Sequence, residues 1–319
     1  MFIKPRLRLA PDDTRINFMR GRIMGLVVSA VLSTASIGLF FYPGLKLGID
    51  FSGGIIMQVR TPVPADFAQI RVALAAEHVG EQGVQRFGED TEVLIRLSAQ
   101  PNEQATQQAV ARVRVALDKA VPGSKIMRTD AVGASVSAEL FQNGLLALGI
   151  SLIMILAYIW FRFEWQFAVG AVVTLVLDIT KAIGFLALTR IEFDLVMVAA
   201  ILTVLGYSTN DKVVVYDRVR ENLRKYKSMP LRELIDLSIN ETLNRTLGTS
   251  MTVFLASVPL AVFGGESIAG FAQVMLFGIV VGTSSSIFIA APILLFLGES
   301  RLRRDAAAPV AKAVTADDP

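Results

Sequence analysis

Cysteine is absent from the 319 residues, and histidine occurs once, as His78. The first absence excludes disulfides, thiolate chemistry and cysteine metal sites. The second excludes multi-histidine metal centres. No phosphate-binding loop is present either: Gly48-Ile49-Asp50-Phe51-Ser52-Gly53-Gly54 lacks the lysine and following helix that such a loop requires. Its two final glycines point instead to a shaped turn with φ > 0 or a close backbone approach. An excess of one charge sign is also missing, since 31 Lys and Arg face 28 Asp and Glu. Placement of charge is therefore more informative than its sum. His78 ends a predicted surface helix and reads as a solvated residue, not a ligand or relay.

What the chain does contain is apolar sequence. Fifty-three per cent of it is hydrophobic, and the mean hydropathy is positive. That composition belongs to membrane proteins. Six stretches are long enough to span a bilayer: 23–42, 140–161, 167–189, 193–216, 246–263 and 268–297. The last is too long for one straight crossing and is expected to tilt or to extend beyond the hydrocarbon. Basic residues gather before the first span (Lys4, Arg6, Arg8, Arg15, Arg20, Arg22), between the fourth and fifth, and after the sixth (Arg301, Arg303, Arg304). Six crossings place these clusters on one side, so the positive-inside rule puts both termini in the cytoplasm. The first span follows a long basic region and precedes no small-x-small cleavage site, which favours an uncleaved anchor. Residues 1–22 read as a basic cytoplasmic lead, 23–42 as the first span and 299–319 as a disordered cytoplasmic tail. Residues 139–298 hold spans two to six, with a cytoplasmic loop near 217–243.

Residues 43–138 are polar and extracytoplasmic in this topology. Strands are expected at 55–60, 84–87, 93–97 and 125–129, and helices at 64–78 and 102–121. Pro64 falls in the first turn of one helix, and Asn102 is placed to cap the other. The order β-α-β-β-α-β is the ferredoxin-like arrangement. The fold class is thus an all-α transmembrane bundle of six helices with a small α+β ferredoxin-like extracytoplasmic domain between the first and second spans.

The stretch Thr203 to Arg220 carries the first candidate chemistry. Apolar sequence breaks at Ser208-Thr209-Asn210-Asp211-Lys212 and resumes at Val213. Ending the helix at Tyr207 would leave 15 residues from Phe193, short of the roughly 17 to 25 that a crossing needs. Asp211 therefore falls inside a span, where ionisable groups face protein or water and mark function. Span three holds Asp178 and Lys181 on one helix face, either a structural couple or part of a transport path. Thr174 extends that polar stripe. Span five opens with Arg245, at a depth of about 6 Å against about 7 to 8 Å for Asp211. Arg245 could snorkel to the headgroups; if the helices are neighbours, it could instead pair with Asp211. Arginine does not release its proton and aspartate can, so protonating Asp211 would free Arg245. Trp160, Trp165 and the nearby phenylalanines read as an interfacial belt. Gly278, Gly282 and Ser286 form a small-residue row suited to close helix contact.

Several of these residues occur in motifs of a known family. Leu47 to Gly54, Gly206-Tyr207-Ser208-Thr209-Asn210-Asp211 with Val213 to Asn222, and Asn240 to Thr246 with Thr249-Ser250 make the chain similar to the SecF family. SecF proteins are subunits of the bacterial SecDF export complex, in the RND transporter superfamily. The resemblance covers nearly the whole chain and implies an RND-type half-bundle in the inner (plasma) membrane. It implies a heterodimer with SecD, the SecYEG channel, translocating preprotein and membrane lipid as further partners, and no nucleic acid. It implies no cofactor, no metal and no covalent catalysis. It implies instead proton flow coupled to outer-domain movement in protein export, with Asp211 and Arg245 in the proton path. Two departures stand out: Lys212, where many members have Thr, and Leu177-Asp178, where many have His-Asp. Lys212 and Asn210 are modulating candidates, because a lysine beside Asp211 acts on it only if both point the same way. Competing readings are an RND-type small-molecule or lipid exporter subunit and a non-conducting scaffold.

Overall fold

The structure is a computed structural model that describes residues 14–77 and 80–297. The basic lead as far as residue 13, His78 and the tail from residue 298 lie outside the described residues. The described chain divides into two compact units: Lys46–Ala147 with Glu192–Leu195, and the remaining helices.

A 3-10 turn, Phe18–Arg20, leads into α1 (Arg22–Phe41). The α/β unit then runs β1 (Lys46–Leu47), α2 (Ile49–Ser52), β2 (Gly54–Arg60), α3 (Phe67–Ala76), β3 (Glu81–Phe87), β4 (Glu89–Leu97), α4 (Glu103–Ala120) and β5 (Lys125–Val132). Its four long strands form an antiparallel sheet in the order β3-β4-β2-β5. Alternation on β2 sends Ile55, Met57 and Val59 inward, where they meet Val93, Ile95 and Leu97 of β4. Ile70 and Leu74 of α3 and Val113 and Leu117 of α4 complete the core. Each fully buried aliphatic side chain contributes about 1.5–3 kcal/mol.

The helix caps follow from the sequence. Asn102 accepts from Ala105 N at 2.8 Å, as expected. At α3 the cap is Asp66, which accepts from Ala68 N and Gln69 N at 2.9 and 3.1 Å. Pro64 therefore lies ahead of the helix and not in its first turn. Gly88 turns β3 into β4 at φ +67. Gly53 and Gly54, at φ +69 and +132, form the shaped turn anticipated from their sequence.

The second unit continues with α5 (Ala134–Arg162), whose first half belongs to the α/β unit, and α6 (Trp165–Thr189). After the short β6 (Glu192–Phe193) come α7 (Leu195–Lys225), α8 (Leu231–Phe263) and α9 (Gly265–Ser285). A π-helical turn, Ser286–Ala290, joins α9 to α10 (Ala291–Phe296). Among the described residues, six helical segments are long and apolar enough to cross a membrane. The long last span is thus one irregular crossing. Pro292 cannot donate to the preceding turn, and the π-turn accommodates that break.

Residues 217–243 are not a loop. α7 runs nine residues past Tyr216, and α8 starts at Leu231, leaving only 226–230 between them. These polar extensions hold each other. Arg218 bonds Glu241 at 2.7 Å, and Asn222 bonds Ser238 and Glu241 at 3.0 and 2.7 Å.

α6, α7 and the last span are the most enclosed helices: 50%, 56% and 56% of their apolar windows are buried, against 11% for α5 and α8. Small residues set their close contacts. A side chain at Gly184 of α6 would collide with Ser36 of α1, and one at Gly278 or Gly282 of α9 would meet Val204 or Ser208 of α7. The small-residue row on the last span therefore packs against another helix of the same chain. Of the expected aromatic belt, Trp160 and Phe161 are exposed. Phe163 and Phe167 turn inward onto Tyr216, with ring centroids 6.0 and 5.1 Å away.

Candidate functional site: a buried charged cluster on the central helices

Asp178 and Lys181 of α6 and Asp211 and Lys212 of α7 are all buried. A buried ion costs several kcal/mol of lost hydration, so the arrangement of these four decides what the bundle can do. Lys212 Nζ lies 2.9 Å from Asp178 Oδ2 and also donates to Ser208 Oγ on its own helix. Ser208 and Ser285 donate to the same Asp178 oxygen at 2.7 and 2.8 Å. Lys181 Nζ stands 3.7 Å from the other oxygen, Oδ1, which has no hydrogen-bond partner. Thus one carboxylate holds two ammonium groups and two hydroxyls. The couple read from the sequence, Asp178 with Lys181, is the looser half of a triad whose tight half is Asp178 with Lys212.

Asp211 is in different company. Its Oδ2 accepts from Ser250 of α8 at 3.3 Å and Thr283 of α9 at 3.2 Å, and those hydroxyls are 2.7 Å apart. No cation lies within ion-pair distance of it among the described residues. Tyr207, Ser250, Gly278, Gly282 and Thr283 help line a small cavity against Asp211, with about 10 Å³ of space for a water-sized sphere. That is room for about one water.

The expected pair of Asp211 with Arg245 is not formed. Arg245 lies on an exposed face of α8, and its guanidinium makes no ion pair among the described residues. The reason is helical phase. α8 presents Ser250 to Asp211, and Arg245, five residues earlier, is about 140° away around the axis. Asn210 is likewise exposed, on the outer side of α7. Lys212 and Asp211 point to different neighbours, as adjacent helical residues do. Among these hydroxyl partners, Ser208 and Ser250 lie in the polar motifs of spans four and five, whereas Thr283 and Ser285 lie in neither. The signal for the last two is a Thr283-Ser284-Ser285-Ser286 run inside an apolar span.

The upper end of α7 is fastened as well. Asp50, in the glycine-flanked turn, accepts from Leu195 N, the first residue of α7, at 3.2 Å. Glu192 of β6 is gripped by Arg96 of β4 and by Lys46 of β1, the latter at 3.0 Å. Burial pushes the Glu192 carboxyl up. Its bonds to Arg96 and Lys46 outweigh that and hold it below the usual carboxylate range.

Membrane-length helices around a buried acid–lysine cluster, with an α/β unit inserted after the first helix, define a multi-pass membrane protein of transporter-like construction. Residues 112–300 match the model for the C-terminal region of the protein-export membrane proteins SecD and SecF, and residues 38–61 match the SecD/SecF GG motif. The chain belongs to the SecF family of protein translocase subunits.

It is 43% identical over 303 residues to protein translocase subunit SecF of Cereibacter sphaeroides, covering 93% of this chain and 94% of that one. It is 41% identical over 309 residues to its counterpart in Rhodobacter capsulatus, covering 93% of each. Among solved structures, SecDF of Thermus thermophilus superposes with a TM-score of 0.80 at 29% identity, over 92% of this chain. SecDF in a super-membrane-facing form gives 0.66 at 28% identity, over 96% of it. The chain spans 40% and 41% of those two SecDF chains.

Proposed function

We propose that this chain, paired with a SecD subunit, uses the proton-motive force to assist late steps of protein export through the SecYEG channel. In this reading it sits in the bacterial inner membrane with both termini in the cytoplasm. The β2-α3-β3-β4-α4-β5 unit is then a ferredoxin-like domain on the outer face, where it handles the translocating chain. The observation that carries the reading is Asp211: a buried carboxylate inside the apolar part of α7, bonded among the described residues to two hydroxyls and facing a cavity of water size. Such an acid can take up a proton without first breaking an ion pair. Asp178, by contrast, is engaged by Lys212 and Lys181 and serves as their fixed counter-charge. Arg245, exposed on α8, answers Asp211 from the subunit boundary when the helices shift. Asp211 and Arg245 thus form the proton path, and Asn210 faces the same boundary.

The test is proton flux and preprotein translocation in vesicles holding this chain with SecD and SecYEG. Asp211→Asn should assemble normally yet lose the dependence of export on the proton gradient. Undiminished gradient-dependent export by that variant would refute the assignment. A non-conducting scaffold predicts no flux from the unmodified pair, and a small-molecule exporter predicts flux without preprotein movement.

A further inference from the structure

Arg162, Asp217, Arg220, Glu221, Arg224 and Lys225 line an open cavity of about 480 Å³ where α5 ends and α7 continues past its apolar stretch. Four cations face two acids there, and both acids are engaged. Asp217 takes two bonds from Arg162, each 2.8 Å, and Glu221 accepts from Arg218 at 2.6 Å. Arg220 is held 2.8 Å from Glu164. Arg224 and Lys225 are exposed and make no ion pair among the described residues. The cavity thus has Arg224 to offer, and Lys225, whose ammonium rests over the ring face of the adjacent Tyr226 at 5.0 Å, with no acid of the cavity to meet either.

We propose that this cavity binds the phosphate of an anionic phospholipid whose acyl chains lie along α5. Three further observations support a lipid over other anions. First, the exposed surface of α5 approaching the cavity is apolar: Ile150, Ile153, Met154, Trp160 and Phe161 are all more than half exposed. Second, the cations stand just beyond the headgroup layer, within the reach of a long side chain. Arg224 lies seven residues beyond Asp217, about 10 Å along the helix. The headgroup layer is about 5 to 7 Å thick on each side of the hydrocarbon. Third, helical side chains lean toward the N-terminus of their helix, which for α7 is the membrane end. Arg224 and Lys225 therefore reach back into that layer. Cation clusters beside a membrane helix are a common means of holding anionic headgroups. The site rests only on the helices crossing a membrane, so it and the proton role of Asp211 can fail separately.

The chain's two tryptophans, Trp160 and Trp165, lie two residues before and three after Arg162 of the cavity and provide the readout. The full chain in detergent is titrated with dioctanoyl phosphatidylglycerol, with dioctanoyl phosphatidylcholine and with inorganic phosphate, following tryptophan fluorescence and bound lipid by native mass spectrometry. Phosphatidylglycerol should bind saturably, and the other two weakly. Arg224→Gln with Lys225→Gln should weaken it about 30-fold, roughly fivefold per charge. Arg232→Gln, at an exposed site outside the cavity, should leave it unchanged. Equal binding of both lipids, binding of phosphate as tight as that of phosphatidylglycerol, or an unaffected double variant would overturn the assignment.

Discussion

The ammonium of Lys212 on α7 lies 2.9 Å from a carboxylate oxygen of Asp178 on α6, and neither side chain meets solvent. Asp178→Asn strands both lysines and should cost about 3–5 kcal/mol; Lys212→Met leaves the acid with Lys181 and should cost less. Combining them should recover about 2 kcal/mol relative to the sum, because only one desolvated charge then remains, on Lys181. Denaturant unfolding of the four proteins in micelles closes the cycle. Additive losses would show that the two groups are not coupled.

The close approach of α9 to α7 sets both acids' hydroxyl partners. A side chain at Gly282 would run into Ser208, while neighbouring Thr283 serves Asp211 and Ser285 serves Asp178. Gly282→Leu should therefore destabilise the bundle by about 1–3 kcal/mol of overpacking. It should also lower gradient-dependent export more than Gly248→Leu, at a glycine with open space around it. Equal effects at the two glycines would count against this reading.

Glu192 gives the α/β unit an acid-sensitive clasp. Its folded carboxyl is held below the ordinary range, so the unfolded chain binds its proton first. The stability it adds is present above the unfolded value and is lost as pH falls through the depressed folded value. Glu192→Gln should remove about 1 kcal/mol at neutral pH, a magnitude suited to a partly exposed cluster, and should flatten the acid limb. Hydrogen exchange of β6 and the start of α7, followed from about pH 6 down past the depressed folded value, reports this. An acid limb that stays the same in the variant contradicts it.

Asp50 caps α7 from a distant point in the chain. Asp50→Ala should cost about 0.5–2 kcal/mol, and Asp50→Asn much less, since the amide oxygen still accepts. Protease susceptibility near residues 192–198 would rise in the alanine variant alone. A rise in both would indicate that charge, not the hydrogen bond, matters.

Periodicity made much of this legible. The six apolar stretches and the alternating strands needed only residue spacing, and Asn102 identified itself as a cap. Asp211 stood out because a charge in a span is costly. What failed was phase. Depth along two helices could be counted, but which face of α8 turns inward depends on packing, and that gives Asp211 Ser250 as a partner in place of Arg245. The α7 and α8 extensions were missed because polar helices carry no apolar stripe; Arg218, Asn222 and Glu241 stabilise them across the gap. Lys212 was recognised as unusual, yet its partner sits 34 residues away on another helix. Only the folded bundle joins them.

Within the α/β unit, β1 pairs with β6 and Asp50 holds Leu195. A stretch that ends some 145 residues further along the chain is thus pinned at both margins. β6 cannot leave its partner without also freeing the glycine-flanked turn.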